Sequence, residues 1–115
     1  MEITSLFNIS GKVAVVTGGS RGIGEMITAG FLANGVKVYI SARKAPALIE
    51  KARELSEKYN QECIPVPCDL SSMDGINDFV NQMTEKEDAV DFLINNAGAA
   101  SVSYTHLRAH ETPIN

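Results

Sequence analysis

The sequence has few of the residues that define several classes of protein. Its 115 residues include only two cysteines, Cys63 and Cys68, too few for a disulfide framework and without further partners for a zinc site. No uninterrupted apolar run approaches the roughly 20 residues that a membrane-spanning helix needs. The first residues also lack the basic and apolar segments of a secretory signal. We therefore expect a cytoplasmic protein with reduced thiols and no membrane partner.

Positive charge is scarce as well. Fourteen aspartates and glutamates outnumber ten lysines and arginines, which gives a formal net charge of −4. A surface with this balance does not attract nucleic acid or anionic lipid. The residues that are present, 44% hydrophobic and 21% charged, are those of an ordinary soluble globular domain, and the length is sufficient for one. The composition predicts one folded unit without a nucleic-acid partner.

Short apolar runs alternate with longer segments of helical spacing. Strands are predicted at residues 13–16, 36–40, 63–68 and 92–95. The resulting order, β-α-β-α-β-α-β, calls for a parallel sheet with right-handed crossovers. Pro65 and Pro67 cannot donate to a ladder, so the third strand belongs at a sheet edge. The sequence therefore predicts an α/β fold with a doubly wound parallel sheet, truncated after strand four, in the order 3-2-1-4.

Three helices are predicted between these strands, each with an apolar face. The first carries its apolar stripe at Ile23, Met26, Ile27, Gly30 and Phe31. The second, which begins at Pro46, directs inward Leu48, Ala52, Leu55 and Tyr59. The third carries its stripe at Ile76, Phe79, Val80 and Met83. Gly35 and Asn60 are expected to end the first two helices, and Ser71 or Ser72 to cap the third.

A glycine-rich segment, the glycine loop at residues 17–24, connects the first strand to the first helix. Gly18 allows a sharp exit from the strand, Gly22 lets the backbone approach a pyrophosphate, and Gly24 permits close helix–strand packing. The N–H groups and the positive dipole end of the helix then face the phosphates. In this strand–loop–helix context the glycines predict nucleotide binding, and the alternative is a purely structural turn.

Three motifs resemble those of the short-chain dehydrogenase/reductase family. The spacing Thr17-Gly18-x-x-x-Gly22-Ile23-Gly24 is similar to the family's glycine loop, and Asn95-Asn96-Ala97-Gly98 to its N-N-A-G motif. Asp69, after the third strand, is similar to the family aspartate that accepts a hydrogen bond from the adenine amino group. The resemblance covers about residues 8–100 and implies a Rossmann-type fold. Two plainer interpretations stay open: Asp69 caps the following helix, and the two asparagines satisfy backbone groups where the strand ends.

The end of the second strand indicates which cofactor is bound. An NAD site needs a carboxylate there for the ribose 2′-hydroxyl, but the chain reads Ser41-Ala42-Arg43-Lys44. Arg43 can bind a 2′-phosphate with its planar guanidinium, and Arg21 resembles a second phosphate-binding residue of NADP-dependent relatives. NADP(H) is the predicted cofactor; the alternative is that Arg43 and Lys44 are a solvated pair. The cofactor-binding residues implied are Gly18, Ser20, Arg21, Gly22, Ile23, Gly24, Arg43, Asp69, Leu70, Asn95, Ala97 and Gly98.

Catalytic and metal-binding residues are predicted to be absent from this chain. In the family a serine, and a tyrosine with a lysine four residues later, carry out the chemistry well beyond the fourth strand. Tyr104 and Arg108 copy that spacing, but they follow the N-N-A-G segment too closely, and arginine does not replace the compact ammonium of lysine. His106 and His110 form an i,i+4 pair without a third metal ligand.

The last residues differ in composition from the rest. Residues 102–112, Val-Ser-Tyr-Thr-His-Leu-Arg-Ala-His-Glu-Thr, are similar to one translated frame of a transposase-type sequencing adapter. We therefore predict that residues 1–101 are the N-terminal part of an NADP(H)-binding domain and that residues 102–115 are a non-native tail. The alternative is a genuine divergent loop.

The resemblance implies an NADP(H)-dependent oxidoreductase. Hydride would pass between the nicotinamide and a carbonyl or secondary alcohol of a small-molecule substrate, with the 3-oxoacyl-thioester reductases as the favoured relatives. This chain would be the cofactor-binding half only, inactive by itself, and the full-length protein a homo-oligomer. A sugar or polyol dehydrogenase similar to gluconate 5-dehydrogenase and a non-catalytic NADP(H)-binding sensor stay open as alternatives.

Overall fold

Strands and helices alternate along residues 8–96, the part of the chain that the computed structural model describes. The strands are β1 (Val13–Thr17), β2 (Lys37–Ala42), β3 (Cys63–Pro67) and β4 (Phe92–Asn95). The helices are α1 (Gly22–Ala33), α2 (Ala45–Tyr59) and α3 (Met73–Lys86). None of these helices is long and apolar enough to cross a membrane.

All four strands run parallel in one sheet, in the order β3-β2-β1-β4. β1 is central, and Val15 lies opposite both Tyr39 of β2 and Leu93 of β4. β3 contains Pro65 and Pro67 and pairs, among the described strands, with β2 alone. The predicted parallel sheet, its strand order and the edge position of the proline-containing strand are confirmed.

Helices cover both faces of the sheet. Even-numbered residues of β1 and β2 face α1 and α2, and this core contains Ala14, Val16, Val38, Ile40, Leu32, Leu48, Ala52 and Leu55. Odd-numbered residues face α3, and this second core contains Val15, Tyr39, Val66 and Met83. Because β1 is covered on both faces, its sequence is a continuous apolar run rather than an alternating one.

The buried face of α1 differs from the predicted stripe. Ile23 and Met26 are 67% and 72% exposed. The buried residues of the helix are Gly24, Thr28 and Leu32, with Ile27 and Phe31 partly buried. A Cβ at position 24 would collide with the carbonyl of Gly18, so glycine is what allows the helix to approach the loop. The stripe prediction is confirmed at Ile27 and Phe31 and wrong at Ile23, Met26 and Gly30. Apolar spacing does not detect a helix face that is buried because its residues are small.

The other helix predictions are confirmed in most respects. α2 buries Leu48, Ala52 and Leu55 and partly buries Tyr59. Asn60 ends this helix in the left-handed conformation, with φ of 50°. In α3 the stripe is confirmed only at Phe79 and Met83, whereas Ile76 and Val80 are 37% and 48% exposed. Phe79 and Met83 pack against Val15, Tyr39 and Val66 of the sheet, and Ile76 and Val80 are not part of this described cluster.

Candidate nucleotide-binding site

The carboxyl ends of the four strands bring the predicted site residues to one edge of the sheet. The glycine loop follows β1, Arg43 follows β2, Asp69 follows β3, and Asn95 ends β4. In open α/β sheets this edge is where ligands bind, because the loops that leave parallel strands meet there. We call this edge the rim.

Two glycines of the loop adopt left-handed backbone conformations. The φ angles are 68° at Gly18 and 57° at Gly22, a region that other residues rarely enter. A Cβ at Gly22 would have no other described group within 4 Å, so the space in front of it is open. This open cradle has room for a group that approaches the backbone, and the pyrophosphate expected at Gly22 stays a prediction.

The start of α1 adds an anion-binding surface to the cradle. Arg21 occupies the N-cap position in an extended conformation and, in the described chain, makes no capping hydrogen bond with its side chain. The first N–H groups of the helix therefore lack a side-chain partner, and they carry the positive end of the dipole. Ser20 is half-buried, and Arg21 and Ile23 are exposed beside them.

Buried contacts beneath the glycine loop hold it in place. The hydroxyl of Thr28 lies 2.8 Å from the carbonyl oxygen of Gly24 and 3.3 Å from that of Gly19. The N–H of Gly18 donates to the carbonyl of Ser41 on β2 at 2.9 Å. The sequence analysis did not predict a role for Gly19 or Thr28. A Cβ at Gly19 would come 2.8 Å from the Thr28 hydroxyl, so this position needs a glycine. The pair Gly18-Gly19 was the signal in the sequence that could have indicated it.

Ser41 carries a buried polar atom next to the loop. Its side-chain oxygen has no hydrogen-bond partner within residues 8–96, and the residue is 1% exposed. Ser41 is the register partner of Thr17, so both hydroxyls lie on the α3 side of the sheet. Buried hydroxyls without partners are rare. The sequence did not predict a buried hydroxyl without a partner among residues 8–96 at this strand end.

The end of β2 carries positive charge and no carboxylate. Arg43 and Lys44 follow the strand and are exposed. The N–H of Cys68 donates to the carbonyl of Ala42 at 3.0 Å, which holds the ends of β2 and β3 together. Arg43 is consequently near enough to Asp69 for its charge to act on that carboxylate. The guanidinium belongs to an exposed residue at the rim, and its binding of a 2′-phosphate stays a prediction.

Asp69 does not cap α3, because the cap is Ser72, whose hydroxyl accepts from the N–H of Gly75 at 3.0 Å. Asp69 Oδ1 instead accepts two hydrogen bonds from Ser71, from the hydroxyl at 2.5 Å and from the backbone N–H at 3.0 Å. These bonds, together with the charge of Arg43, hold the pKa of Asp69 below its usual value. An ionised, exposed acceptor therefore lies on the rim, beside the half-buried Leu70.

Thr17 joins β1 to the end of β4. Its hydroxyl lies 3.0 Å from Asn95 Oδ1 and accepts from the N–H of Asn96 at 2.9 Å. The side-chain amide of Asn96 lies against α1, 2.6 Å from where a Cβ of Gly24 would be. In these contacts the Asn95 side chain meets a hydroxyl and Asn96 contributes its backbone N–H, so neither side chain is seen to satisfy a backbone group, which was the plainer interpretation of the motif.

Two residues of the predicted cofactor-binding set, Ala97 and Gly98, lie outside the described residues. So do the residues that were predicted to have no catalytic or metal-binding role, namely Tyr104, His106, Arg108 and His110. Within residues 8–96, no three His, Cys, Asp or Glu side chains are grouped so as to hold a metal ion. Burial raises the pKa of the Cys63 thiol to about 12, so this thiol is not a nucleophile at neutral pH. The chemistry that the described rim supports is the binding of a polar, anionic ligand.

Sequence comparison finds relatives along most of the chain. The sequence model of the short chain dehydrogenase family matches residues 12–113, past the boundary predicted at residue 101. The rhamnolipids biosynthesis 3-oxoacyl-(acyl-carrier-protein) reductase of Pseudomonas aeruginosa is 44% identical over 94 residues, which are 82% of this chain and 36% of that protein. The chain spans about a third of the length of the curated relatives that it matches.

Solved structures give the same likeness in three dimensions. The Pseudomonas aeruginosa RhlG/NADP active-site complex has a TM-score of 0.71 and 42% identity, over 76% of this chain and 33% of that one. L-sorbose reductase from Gluconobacter frateurii, complexed with NADPH and L-sorbose, has a TM-score of 0.76 and 39% identity, over 80% of this chain and 35% of that one.

Proposed function

The chain belongs to the short-chain dehydrogenase family, and on that basis we propose that it binds NADP(H) as the N-terminal part of an oxidoreductase. Residues 1–101 form this part of the dinucleotide-binding domain, and residues 102–115 are a non-native tail. The substrate pocket and the proton-transferring residues belong to the remainder of a full-length, homo-oligomeric protein, since this chain spans about a third of its relatives.

The single observation that carries this proposal is the open cradle at Gly22. It lies in front of the α1 N-terminus, where the N-cap side chain of Arg21 makes no hydrogen bond within residues 8–96. It shares the rim with the exposed Arg43. A pyrophosphate and a 2′-phosphate are the two anionic groups of NADP(H). The spacing of one cradle and one arginine on neighbouring strand ends supports a ligand that carries both.

Each predicted residue has a binding or orienting role in this proposal. The pyrophosphate is held by Gly18, Ser20, Gly22, Ile23 and Gly24. The 2′-phosphate is held by Arg21 and Arg43. The adenosine is held by Asp69, Leu70, Asn95, Ala97 and Gly98. When bound, the nicotinamide supplies or accepts the hydride exchanged with a carbonyl carbon. The residues of this chain bind and orient the dinucleotide and carry out no proton transfer.

Two substrate classes follow from the relatives. The favoured class is a 3-oxoacyl thioester, which the 44% identity to a 3-oxoacyl-(acyl-carrier-protein) reductase supports. The second is a sugar or polyol, which the likeness to the L-sorbose reductase complex supports. A full-length protein that oxidises NADPH with a 3-oxoacyl thioester and not with a ketose supports the first class, and the opposite result supports the second. Binding of NADPH without turnover of either would identify the non-catalytic sensor.

The cofactor is tested by titrating the full-length protein with NADPH and NADH and following the nicotinamide fluorescence. Arg43→Ala is expected to weaken NADPH binding about tenfold or more, because it removes a charge-assisted contact, and to leave NADH binding unchanged. Lys58→Ala is the matched control, since Lys58 is an exposed cation at the opposite end of α2. Tighter binding of NADH than of NADPH, or an Arg43→Ala variant with full NADPH affinity, would contradict the proposal.

The tail is tested by recovering the complete reading frame from the source DNA. We expect the native codons to diverge from this sequence after residue 101 and to encode a serine and a Tyr-x-x-x-Lys motif further on. A native frame that reads through residues 102–115 unchanged would refute the non-native tail.

A further inference from the structure

The two oxygens of the Asp69 carboxylate are in different situations. Oδ1 accepts both hydrogen bonds from Ser71, at 2.5 Å from the hydroxyl and 3.0 Å from the backbone N–H. Within residues 8–96, Oδ2 accepts none. Because two donors converge on one oxygen, they fix the rotation of the carboxylate. Asp69 is exposed at the rim, so its second oxygen is left as an acceptor there.

We propose that Ser71 is a positioning residue for recognition of the nucleotide base. By fixing Asp69 it aims Oδ2 at the exocyclic amino group of a bound adenine, an inference that rests on the proposed function. A carboxylate oxygen accepts hydrogen bonds and donates none. An oriented Oδ2 therefore favours a base with an amino group at this position over one with a carbonyl oxygen, such as hypoxanthine.

Ser71 and Ser72 make different hydrogen bonds and therefore have different structural roles. The hydroxyl of Ser72 donates to the backbone carbonyl of Asp69 at 3.3 Å and accepts from Gly75, so it fixes the main chain and the start of α3. A Cβ at Gly75 would overlap that same carbonyl, so the helix already lies directly against the Asp69 backbone. What remains to be fixed is the Asp69 side chain, and Ser71 alone does this among the described residues.

The test compares two reduced dinucleotides, NADPH and its hypoxanthine analogue, which lacks the amino group, bound to the full-length protein. The readout is binding, measured by nicotinamide fluorescence or calorimetry without turnover. Wild type is expected to bind NADPH more tightly than the analogue. Ser71→Ala is expected to weaken NADPH binding about three- to tenfold, the effect of one positioning hydrogen bond, and to leave binding of the analogue unchanged. Ser71→Thr retains a hydroxyl and is expected to retain the preference.

Ser72→Ala is the matched control, because it removes the cap of α3 and leaves the Ser71 hydrogen bonds in place. It is expected to lower the melting temperature and to keep the preference for NADPH. A Ser71→Ala variant that keeps the full preference, or that binds both dinucleotides equally less well, would overturn the positioning role. If wild type binds both dinucleotides equally, Asp69 does not contact the adenine amino group and this inference is wrong. Wild type that binds neither would refute the proposed function itself.

Discussion

At the scale of single residues, the glycines of α1 differ in what surrounds them. Gly24 faces the carbonyl of Gly18 and the side-chain amide of Asn96, and a Cβ there would overlap the first and come 2.6 Å from the second. Gly30, two turns further along the helix, is exposed, and a Cβ there would meet nothing within 4 Å. Gly24 is required because the helix approaches the loop closely at this position. Gly30 lowers the stability of the helix and permits no close contact in exchange.

Substituting these two glycines by alanine is therefore expected to have opposite effects. Gly24→Ala separates α1 from the glycine loop, so it lowers the melting temperature and abolishes measurable NADPH binding. Gly30→Ala is expected to raise the free energy of unfolding by up to about 1 kcal/mol, the helix-propensity difference, and to leave NADPH binding unchanged. Thermal melts and nucleotide titrations of both full-length variants check this. A Gly24→Ala protein that binds NADPH normally would contradict the close-packing role.

The two thiols are expected to differ in reactivity. Burial raises the pKa of both, to about 12 for Cys63, and Cys68 is less buried. Iodoacetamide at pH 8 should therefore label Cys68 before Cys63 in the folded protein, and both at similar rates in urea, as followed by mass spectrometry. Because the folded pKa of Cys63 is raised, its contribution to stability is present below about pH 9 and is lost as the pH rises towards 12. Equal labelling of the folded protein would contradict this.

At the scale of whole elements, one carboxylate fastens the C-terminal end of α3 to the sheet. Glu87, which follows the helix, accepts hydrogen bonds at 2.6 Å from both the Tyr39 hydroxyl and the Lys37 ammonium of β2. Lys37 and Tyr39 hold the pKa of Glu87 below its usual value. The Lys37 ammonium also lies 5.6 Å from the centre of the Tyr39 ring. The end of α3 is thus fixed by a polar contact next to the buried Met83.

Glu87→Gln is expected to lower the free energy of unfolding at pH 7 by about 1.5–3 kcal/mol, the range for hydrogen bonds to charged groups. A depressed folded pKa contributes stability above the unfolded value of about 4.5, and this contribution is lost as the pH falls through the folded pKa. The difference between wild type and variant, measured by urea unfolding, should therefore shrink at pH 3. Glu85→Gln, at an exposed position of the same helix, should change stability by less than about 0.5 kcal/mol. A difference that persists unchanged in acid would contradict the charge-based origin.

The elements were predictable from sequence to different degrees. Pro65 and Pro67 determined the edge position of β3, because a residue without an N–H cannot serve an inner strand. The buried face of α2 was predictable because most of its buried residues are large and apolar. The buried face of α1 was not, because this helix buries Gly24 and Thr28, which are small and lie close to the glycine loop. In the site, the glycine spacing and Asp69 were predictable. Ser71 was not, because its partner depends on how the chain turns after β3.

At the scale of the whole molecule, β4 is the strand with the least covering. Its residues alternate between half-buried and exposed, and Leu93 is 67% exposed. Among the described strands it pairs with β1 alone. An apolar strand with one open edge is a template for association with other chains. Each large apolar side chain left in water forgoes about 1.5–3 kcal/mol, a large share of a total domain stability of about 5–15 kcal/mol.

The isolated 115-residue chain is therefore expected to be marginally stable and to lack dehydrogenase activity. Circular dichroism during heating should show a broad, weakly cooperative transition, and NADPH should not be oxidised with a keto ester. Leu93→Lys should reduce concentration-dependent association in size-exclusion chromatography, because a charge disfavours edge pairing. A cooperative transition in the ordinary range of about 45–65 °C would contradict this. So would NADPH oxidation that disappears in Tyr104→Phe, a result that would also make Tyr104 catalytic.

The hydrogen bond from the Gly18 N–H to the Ser41 carbonyl has a consequence for how such a site changes in evolution. Both partners are main-chain atoms, so the bond that holds the glycine loop beside β2 does not depend on any side chain at the end of that strand. The residues that follow, Arg43 and Lys44, can therefore be replaced by other residues without breaking this hydrogen bond. If Arg43 binds the 2′-phosphate as proposed, cofactor preference is a modular trait: a lineage can exchange that residue while it inherits the glycine loop intact.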